Sequence, residues 1–264
     1  MFNYKDMTDY KRFLNDAIVM AKSAGDIHLK YFRSSEFNLQ TKLNDSDVVT
    51  TADREAEKLI ISIIQEKYPD HGIIAEESDP VHEDREWRWV IDPLDGTTNF
   101  SQGLPAFCVS IALEHNCNTV VGVVYAPYLG ELFHAIKGEG AFLNGRKIVC
   151  GCKDKLSESV LATGMPYDKQ DNPDNNIREI SQVAPLVRGI RRMGSAAIDL
   201  SYVAAGFLDA YWELNLKRWD VAAGSLIAEE AGAVILPIRQ NRNFSILASS
   251  PGISNLIFPL LLPS

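Results

Sequence analysis

The hydrophobic pattern of this chain changes near residue 157, and the change limits the folds that are open to it. Before that point, two long segments with apolar residues at helical spacing (8–32 and 50–72) precede several β-type runs, the last three in meander order. After it, helical and strand-like segments alternate, which is typical of α/β architecture. The sequence therefore predicts a layered α/β fold in which two helices pack against a first sheet.

A boundary between two sub-domains is expected between residues 150 and 175. The segment GMPYDKQDNPDNN (164–176) is the most polar and turn-rich part of the chain. We assign residues 1–150 to an N-terminal α+β sub-domain and residues 151–264 to a C-terminal α/β sub-domain. A binding site is expected between the two.

Composition excludes several classes of function. The 264 residues carry a formal net charge of -9, which disfavours binding to nucleic acid or to an anionic membrane surface. The four cysteines do not form spaced C-x-x-C pairs, so reduced thiols are expected. No apolar run approaches the length of a membrane span, and the charged N-terminus has no apolar targeting segment. These features predict a cytoplasmic protein without nucleic-acid or membrane partners.

Acidic residues stand at the ends of several predicted elements. Each one alone is well explained as a helix cap or a turn residue. Glu76 and Asp92, however, would lie side by side if their strands are neighbours, and two unit charges about 4 Å apart repel by roughly 4 kcal/mol at an effective dielectric near 20. A cluster of such acids needs protons or cations, and oxygen-only ligands suit Mg²⁺. The acids concerned are Asp53, Glu76, Asp92, Asp95 and Asp220.

The stretch WVIDPLDGTTNF (89–100) also contains features that suit phosphate. Pro93 restricts the predicted turn and exposes the carbonyl of Leu94 as a candidate metal ligand, while Gly96 and Thr97 can offer free amides at the start of a short helix. Metals that bridge the acids and a phosphate would support metal-assisted hydrolysis of a phosphate ester. The chain has no Walker loop and its five histidines are scattered, which disfavours kinase-like and zinc-hydrolase sites.

Five segments resemble, in their order and spacing, the signature blocks of the inositol monophosphatase family. They are DVVTTADREAE (47–57), AEES (75–78), WVIDPLDGTTNF (89–100), RRMGSAAIDLSYVAAGFLDAYWE (191–213) and RWDVAAGSLIAEEAGA (218–233). The resemblance implies an αβαβα sandwich of the inositol monophosphatase and fructose-1,6-bisphosphatase type and a homodimer. It also implies lithium-sensitive, Mg²⁺-dependent hydrolysis of a phosphate monoester, inositol monophosphate above all.

The resemblance also implies a role for each matching residue. It assigns metal binding, with two or three Mg²⁺ ions, to Glu76, Asp92, the carbonyl of Leu94, Asp95 and Asp220. It assigns the attacking water to Asp53 and Thr97, with Glu76 as a further catalytic residue. The implied substrate contacts are Asp95, Gly96, Thr97, Ala196, Glu213 and Asp220.

Several points stay open at this stage. The substrate could instead be fructose 1,6-bisphosphate, 3'-phosphoadenosine 5'-phosphate or histidinol phosphate, and a regulatory role on the same fold is a third class of function. Ala75 replaces the family's usual glycine, which is tolerable if the backbone φ is not positive there. Gly224 lies within a predicted helix, where close helix packing explains a glycine best. The segment after residue 231 lacks the family's common glycine pair, so the C-terminal sheet edge is expected to differ.

Overall fold

The computed structural model describes residues 4–34, 39–41 and 48–263. Within these residues the helices are α1 (Tyr4–Tyr31), α2 (Thr51–Lys67), α3 (Thr97–Ser101), α4 (Ile177–Val183), α5 (Ala196–Ala204), α6 (Arg218–Glu230) and α7 (Pro251–Leu261). The strands are β1 (Leu39–Thr41), β2 (Val48–Thr50), β3 (Gly72–Ala75), β4 (Trp87–Asp95), β5 (Cys108–His115), β6 (Asn118–Ala126), β7 (Glu131–Ile136), β8 (Gly140–Leu143), β9 (Arg146–Ile148), β10 (Val160–Thr163), β11 (Gly189–Arg191), β12 (Ala210–Leu216), β13 (Val234–Pro237) and β14 (Phe244–Ser249).

These elements stack in five layers, which confirms the predicted αβαβα sandwich. Helices α1 and α2 bury their apolar faces against one side of a seven-stranded sheet. Helices α5 and α6 fill the space between that sheet and a five-stranded sheet. Helices α4 and α7 pack on the outer face of the second sheet. Side chains alternate along β12 accordingly: Tyr211 points to the middle layer, whereas Ala210 and Trp212 point to the outer one.

The two sheets differ in the order and direction of their strands. The seven strands lie in sequence order from β3 to β9, and all neighbours are antiparallel except β3 and β4, which are parallel. The predicted meander is therefore confirmed. The second sheet has the order β11-β10-β12-β14-β13, in which β10 runs parallel to β11 and β12. The first sheet ends at Ile148 and the second begins at Val160, and the sub-domain boundary near residue 150 stays a prediction.

Some local predictions are confirmed and others are wrong. The predicted helical segment 50–72 contains α2, which begins with a capping box: Thr50 accepts from the backbone of Asp53 and Asp53 accepts from the backbone of Thr50. The first helix begins at Tyr4, before the predicted start at residue 8. Strand β14 and helix α7 were not predicted. β14 lies between β12 and β13 and not at the sheet edge, so Pro237 of β13 stands on an edge strand, where a missing backbone donor costs little.

The structure agrees with the expectations for two small residues, Gly224 and Ala75. A Cβ atom on Gly224 would lie 2.8 Å from Cβ of Leu200, so the glycine allows α6 to approach α5 closely. Ala75 has no positive φ and continues β3, so the substitution for glycine is tolerated there. None of the helices in the described residues is both long and apolar enough to cross a lipid bilayer.

Candidate active site

Parallel strands β3 and β4 bring the first two acids together. Their register pairs Ala75 with Ile91, so Glu76, just after the end of β3, lies beside Asp92 of β4. This is the arrangement that the sequence predicts if the two strands are neighbours. Burial of Asp92 raises its pKa well above the ordinary value, and the negative charge of Glu76 raises that pKa further.

The stretch from Asp92 to Asp95 is a β-bulge and not the predicted turn. Asp92 pairs with Ser110 of β5 and Asp95 pairs with Cys108, so β4 holds one extra residue between the two pairs. Pro93 suits the bulge because it has no backbone N–H to leave unpaired. The backbone N–H of Leu94 turns back to donate to Asp92 Oδ1 at 3.0 Å. The bulge thus presents both aspartates at the same end of the sheet.

Gly96 makes the connection from the bulge to α3. Its φ is 93°, and a Cβ atom there would lie 2.7 Å from the carbonyl oxygen of Ala106, so only glycine fits. Helix α3 begins at the next residue, Thr97, and the first amides of a helix have no partner within it. Asn99 holds the helix in place, because its Nδ2 donates to the carbonyl oxygens of Ala106 and Met193, both at 2.7 Å.

Thr97 and Asp53 form a buried pair behind the cavity. The Thr97 hydroxyl lies 3.1 Å from Asp53 Oδ1 and 2.9 Å from the carbonyl oxygen of Leu94, two alternative acceptors for its proton. The other oxygen of Asp53 accepts from the backbone of Thr50 at 2.8 Å. Burial raises the pKa of Asp53 to about 7, and the charges of Glu77 and Glu76 act in the same direction. The carboxyl of Asp53 therefore holds a proton more strongly than an exposed aspartate does.

The starts of helices α5 and α6 orient two carboxylates of the site. Asp95 Oδ2 accepts from the Ser195 hydroxyl at 2.6 Å and from the Ala197 amide at 2.7 Å, at the N-terminus of α5. Asp220 Oδ2 accepts from the Lys217 amide at 2.7 Å, just before α6. Asp220 is the third residue of α6, which begins at Arg218. In both aspartates these bonds fix the orientation of the carboxylate.

Ser195 is a site residue that sequence reasoning missed. It is the N-cap of α5 and accepts from the Ile198 amide, while its hydroxyl orients Asp95. The signal that could have identified it is a serine three residues before an apolar run, within the block GSAAID. The partner lies 100 residues away in sequence, which no local pattern can indicate.

Glu213 lies in the same cavity on β12. Its Oε2 accepts from the Tyr211 hydroxyl at 2.7 Å. A Cβ atom on Gly164 would lie 1.9 Å from this oxygen, so the carboxylate rests directly on the backbone of Gly164. Burial raises the pKa of Glu213 to about 7. The side chain is held by its surroundings and can accept from a hydroxyl group in the cavity.

A single cavity of about 560 Å³ lies where these elements meet. Asp53 does not line it and lies behind Thr97. Two basic residues, Arg192 and Lys217, line it within the described part of the chain. Of the residues singled out by sequence, the cavity is lined by Glu76, Asp92, Leu94, Asp95, Gly96, Thr97, Ala196, Glu213 and Asp220.

The charge of the cavity suits a hydrated divalent cation. Burial raises the pKa values of Asp92, Asp95 and Asp220, and neighbouring carboxylates raise those of Asp92 and Asp220 further. Among the described residues, no group of three or more His, Cys, Asp or Glu side chains is arranged to hold a metal by itself. Mg²⁺ usually keeps several waters and also binds substrate phosphate, so oxygen donors that do not enclose an ion by themselves suit Mg²⁺.

The metal-free protein is expected to lose stability as the pH rises from about 4 to about 7. Burial raises the pKa values of Asp53 and Glu213 from 3.8 and 4.5 to about 7, so the folded state binds more protons than the unfolded chain in this window. The free energy of unfolding then falls with rising pH. Melting temperatures in chelator, at pH steps across this range, measure the slope. Asp92, Asp95 and Asp220 also have raised pKa values and add to the slope. Asp53→Asn should therefore reduce the slope without abolishing it, and an unchanged slope in that variant would contradict the assignment.

Comparison with known proteins identifies the family of this chain. The model of the inositol monophosphatase family matches residues 9–262. The chain belongs to the inositol monophosphatase family. It is 48% identical over 198 residues to the inositol-1-monophosphatase of Synechocystis sp., covering 75% of this chain and 69% of that protein. It is 43% identical over 243 residues to the Nus factor SuhB of Vibrio cholerae, covering 90% and 91%. The solved inositol monophosphatase of Anabaena (Nostoc) superposes with a TM-score of 0.86 at 38% identity, covering 97% of this chain and 98% of that one.

Membership confirms the predicted family and fold, and it identifies the chain as a phosphatase of the inositol monophosphatase family, a family that is generally metal-dependent. The relatives carry two kinds of name, inositol-1-monophosphatase and Nus factor SuhB. The natural substrate, the number of metal ions, the homodimer and the roles of individual residues stay predictions.

Proposed function

We propose that the protein hydrolyses a phosphate monoester with the help of Mg²⁺, and that inositol monophosphate is its substrate. The observation that carries this proposal is the convergence of Glu76, Asp92, Asp95 and Asp220 on one cavity beside the N-terminus of α3. Glu76, Asp92 and Asp95 come from β4 and the end of β3, whereas Asp220 comes from α6 in the C-terminal half of the chain. A buried negative cluster beside free amides suits a cation and a phosphate together.

In this proposal the acids hold the metal. Glu76, Asp92 and the carbonyl of Leu94 would bind one ion, Asp92, Asp95 and Asp220 a second, and Glu76 would also contact a third. When bound, Mg²⁺ polarises the phosphoryl group and lowers the pKa of a bound water. The Ser195 and Lys217 contacts support this role because they hold Asp95 and Asp220 in fixed orientations.

Thr97 and Asp53 would handle the proton of the attacking water. The Thr97 hydroxyl donates to Asp53, which leaves its lone pairs to accept from a water in the cavity. In the metal-free protein, burial raises the pKa of Asp53 to about 7, toward the range in which a general base works near neutral pH. The proton of the water can pass through the hydroxyl to the Asp53 carboxylate.

The remaining cavity residues would bind the substrate. The amides of Gly96 and Thr97, at the start of α3, would hold the phosphate, because the first amides of a helix have no partner within it. Glu213 can accept from a hydroxyl of the alcohol portion, and Ala196 and Asp220 line the same part of the cavity. Several acceptors for hydroxyl groups favour a polyol or sugar over an apolar alcohol.

Phosphate release from a panel of esters tests the proposal. The panel should contain inositol 1-phosphate, fructose 1,6-bisphosphate, 3'-phosphoadenosine 5'-phosphate and histidinol phosphate. We expect release that requires Mg²⁺, disappears in chelator and returns with added Mg²⁺, with the highest specificity constant for inositol 1-phosphate. Full activity in chelator would contradict the metal role. A higher specificity constant for fructose 1,6-bisphosphate would show that the proposed substrate is wrong, while the proposed metal-assisted hydrolysis would still stand.

The relatives named Nus factor SuhB favour a second candidate, in which the fold also acts through a binding partner. A protein that is catalytically inactive separates the two roles. If the Asp95→Asn protein corrects the defect of a strain that lacks the gene, the partner role is supported. If only the active protein restores it, hydrolysis alone accounts for the function.

A further inference from the structure

One wall of the cavity is built by residues 164–176, the segment that joins β10 to α4. Its lining residues include Tyr167 and Asp171. Tyr167 is 58% exposed although it lines the cavity, so its ring offers an apolar face at the entrance. Aromatic faces of this kind commonly contact the C–H faces of bound ligands.

Two arginines that follow β13 hold this segment from behind. Arg242 Nη2 donates to both carboxylate oxygens of Asp168, at 2.8 and 2.6 Å, and Arg242 Nη1 donates to the carbonyl of Asp174. Arg239 donates two hydrogen bonds to the Asp174 carboxylate, from Nη2 to Oδ1 at 2.7 Å and from Nε to Oδ2 at 3.0 Å. The hydrogen bonds from Arg239 hold the pKa of Asp174 below its usual value. Asp174 therefore joins both arginines to the wall.

The arginines themselves are fixed. The Arg239 side chain is 3% exposed and lies 2.7 Å from Glu179 of α4, whose side chain is also 3% exposed. A buried ion pair adds little net stability because both groups lose their hydration, which favours a positional role for this one. The far end of the segment is also anchored, because Asn176 donates to Thr163 at 2.8 Å and accepts from Trp212 at 2.6 Å.

We propose that Arg242, supported by Arg239, is a positioning residue that holds Tyr167 and Asp171 against the alcohol portion of the substrate. The wall then selects ring-shaped polyol or sugar phosphates over small linear phosphate esters. A ring can place a C–H face on Tyr167 and a hydroxyl on Asp171, whereas a linear ester leaves the wall largely unused. This inference rests on the proposed function, because it assigns the wall to the same substrate.

Kinetics with two esters test the inference. In Arg242→Ala, KM for inositol 1-phosphate should rise about tenfold, while kcat for that ester and both constants for glycerol 2-phosphate change less than about twofold. Arg242→Lys keeps the charge and should recover part of the loss. Lys155→Ala is the control, because it removes an exposed ion pair with Glu158 that does not line the cavity. An equal change for both esters would overturn the selective role.

Hydrogen exchange provides a readout that does not depend on activity. Amides in 165–174 should exchange faster in Arg242→Ala than in the unmodified protein, whereas amides of β5 and β6 should not change. Unchanged exchange in 165–174 would overturn the positioning role. If the unmodified protein released phosphate from neither ester, the proposed function would fail, and the exchange result would still decide whether Arg242 holds the wall.

Discussion

Asp92→Asn is expected to lower phosphate release from inositol 1-phosphate by about a thousandfold or more. Asp92 is 2% exposed, lies in β4 beside Glu76, and is the acid proposed to contact two metal ions. The amide has nearly the same shape but no negative charge, so it cannot hold a divalent cation equally well. The measurement is kcat/KM at saturating Mg²⁺.

The same variant should behave differently in stability and in activity. Without metal, burial and the charges of Glu76, Asp95 and Asp220 disfavour the ionised form of Asp92. Replacing it with a neutral amide relieves this repulsion, so the melting temperature in chelator should stay equal or rise. In the unmodified protein, Mg²⁺ at about 100 times its dissociation constant should add about 2.7 kcal/mol of stability. This increase should be largely lost in Asp92→Asn.

Asp171→Asn is the matched control. It changes a carboxylate that lines the same cavity but lies outside the proposed metal set. Its stabilisation by Mg²⁺ and its kcat should stay close to those of the unmodified protein. Its KM for inositol 1-phosphate should rise, because Asp171 is proposed to accept from a substrate hydroxyl, so the two variants are compared in kcat and in stabilisation by Mg²⁺. If Asp92→Asn kept its stabilisation by Mg²⁺, the ion would have to be held elsewhere and the proposed metal site would be wrong.

The sequence predicts the acids at this site better than it predicts the shape of the backbone that carries them. Glu76 and Asp92 could be placed together because each follows a short apolar strand, and neighbouring parallel strands end at the same edge. The bulge between Asp92 and Asp95 could not be predicted, since D-P-L-D reads as a turn. The extra residue becomes visible only against the register of β5, which no local pattern specifies.

The elements that were missed share a physical cause. Strand β14 (FSILAS) is short and contains two serines, and its stability comes from pairing with β12 and β13 on both sides. Arg242 stands in the polar run RQNRN, which reads as an exposed turn, yet its partner Asp168 lies 74 residues earlier. Such long-range pairs decide the positions of these segments, and they leave no periodic signal in the sequence.

Gly96→Ala is expected to produce the second large effect, a loss of both stability and activity. The residue has a φ of 93°, which costs about 1 to 2 kcal/mol for an alanine. The added Cβ atom would also lie 2.7 Å from the carbonyl oxygen of Ala106 and 3.2 Å from Cα of Phe107, so backbone must move. We expect a total destabilisation of about 3 kcal/mol, measured by denaturant unfolding.

The chain offers a matched control for this variant in Gly130, which also has a positive φ of 66° but has nothing within 4 Å of an added Cβ atom. Gly130→Ala therefore isolates the cost of the backbone conformation, about 1 kcal/mol, with no loss of activity. The difference between the two variants measures the close approach of Gly96 to Ala106. Because Gly96 joins the bulge to α3, a shift of its backbone moves both Asp95 and the amide of Thr97, and kcat should fall about a hundredfold. If the two variants had equal kcat, the amides at the start of α3 would not hold the phosphate.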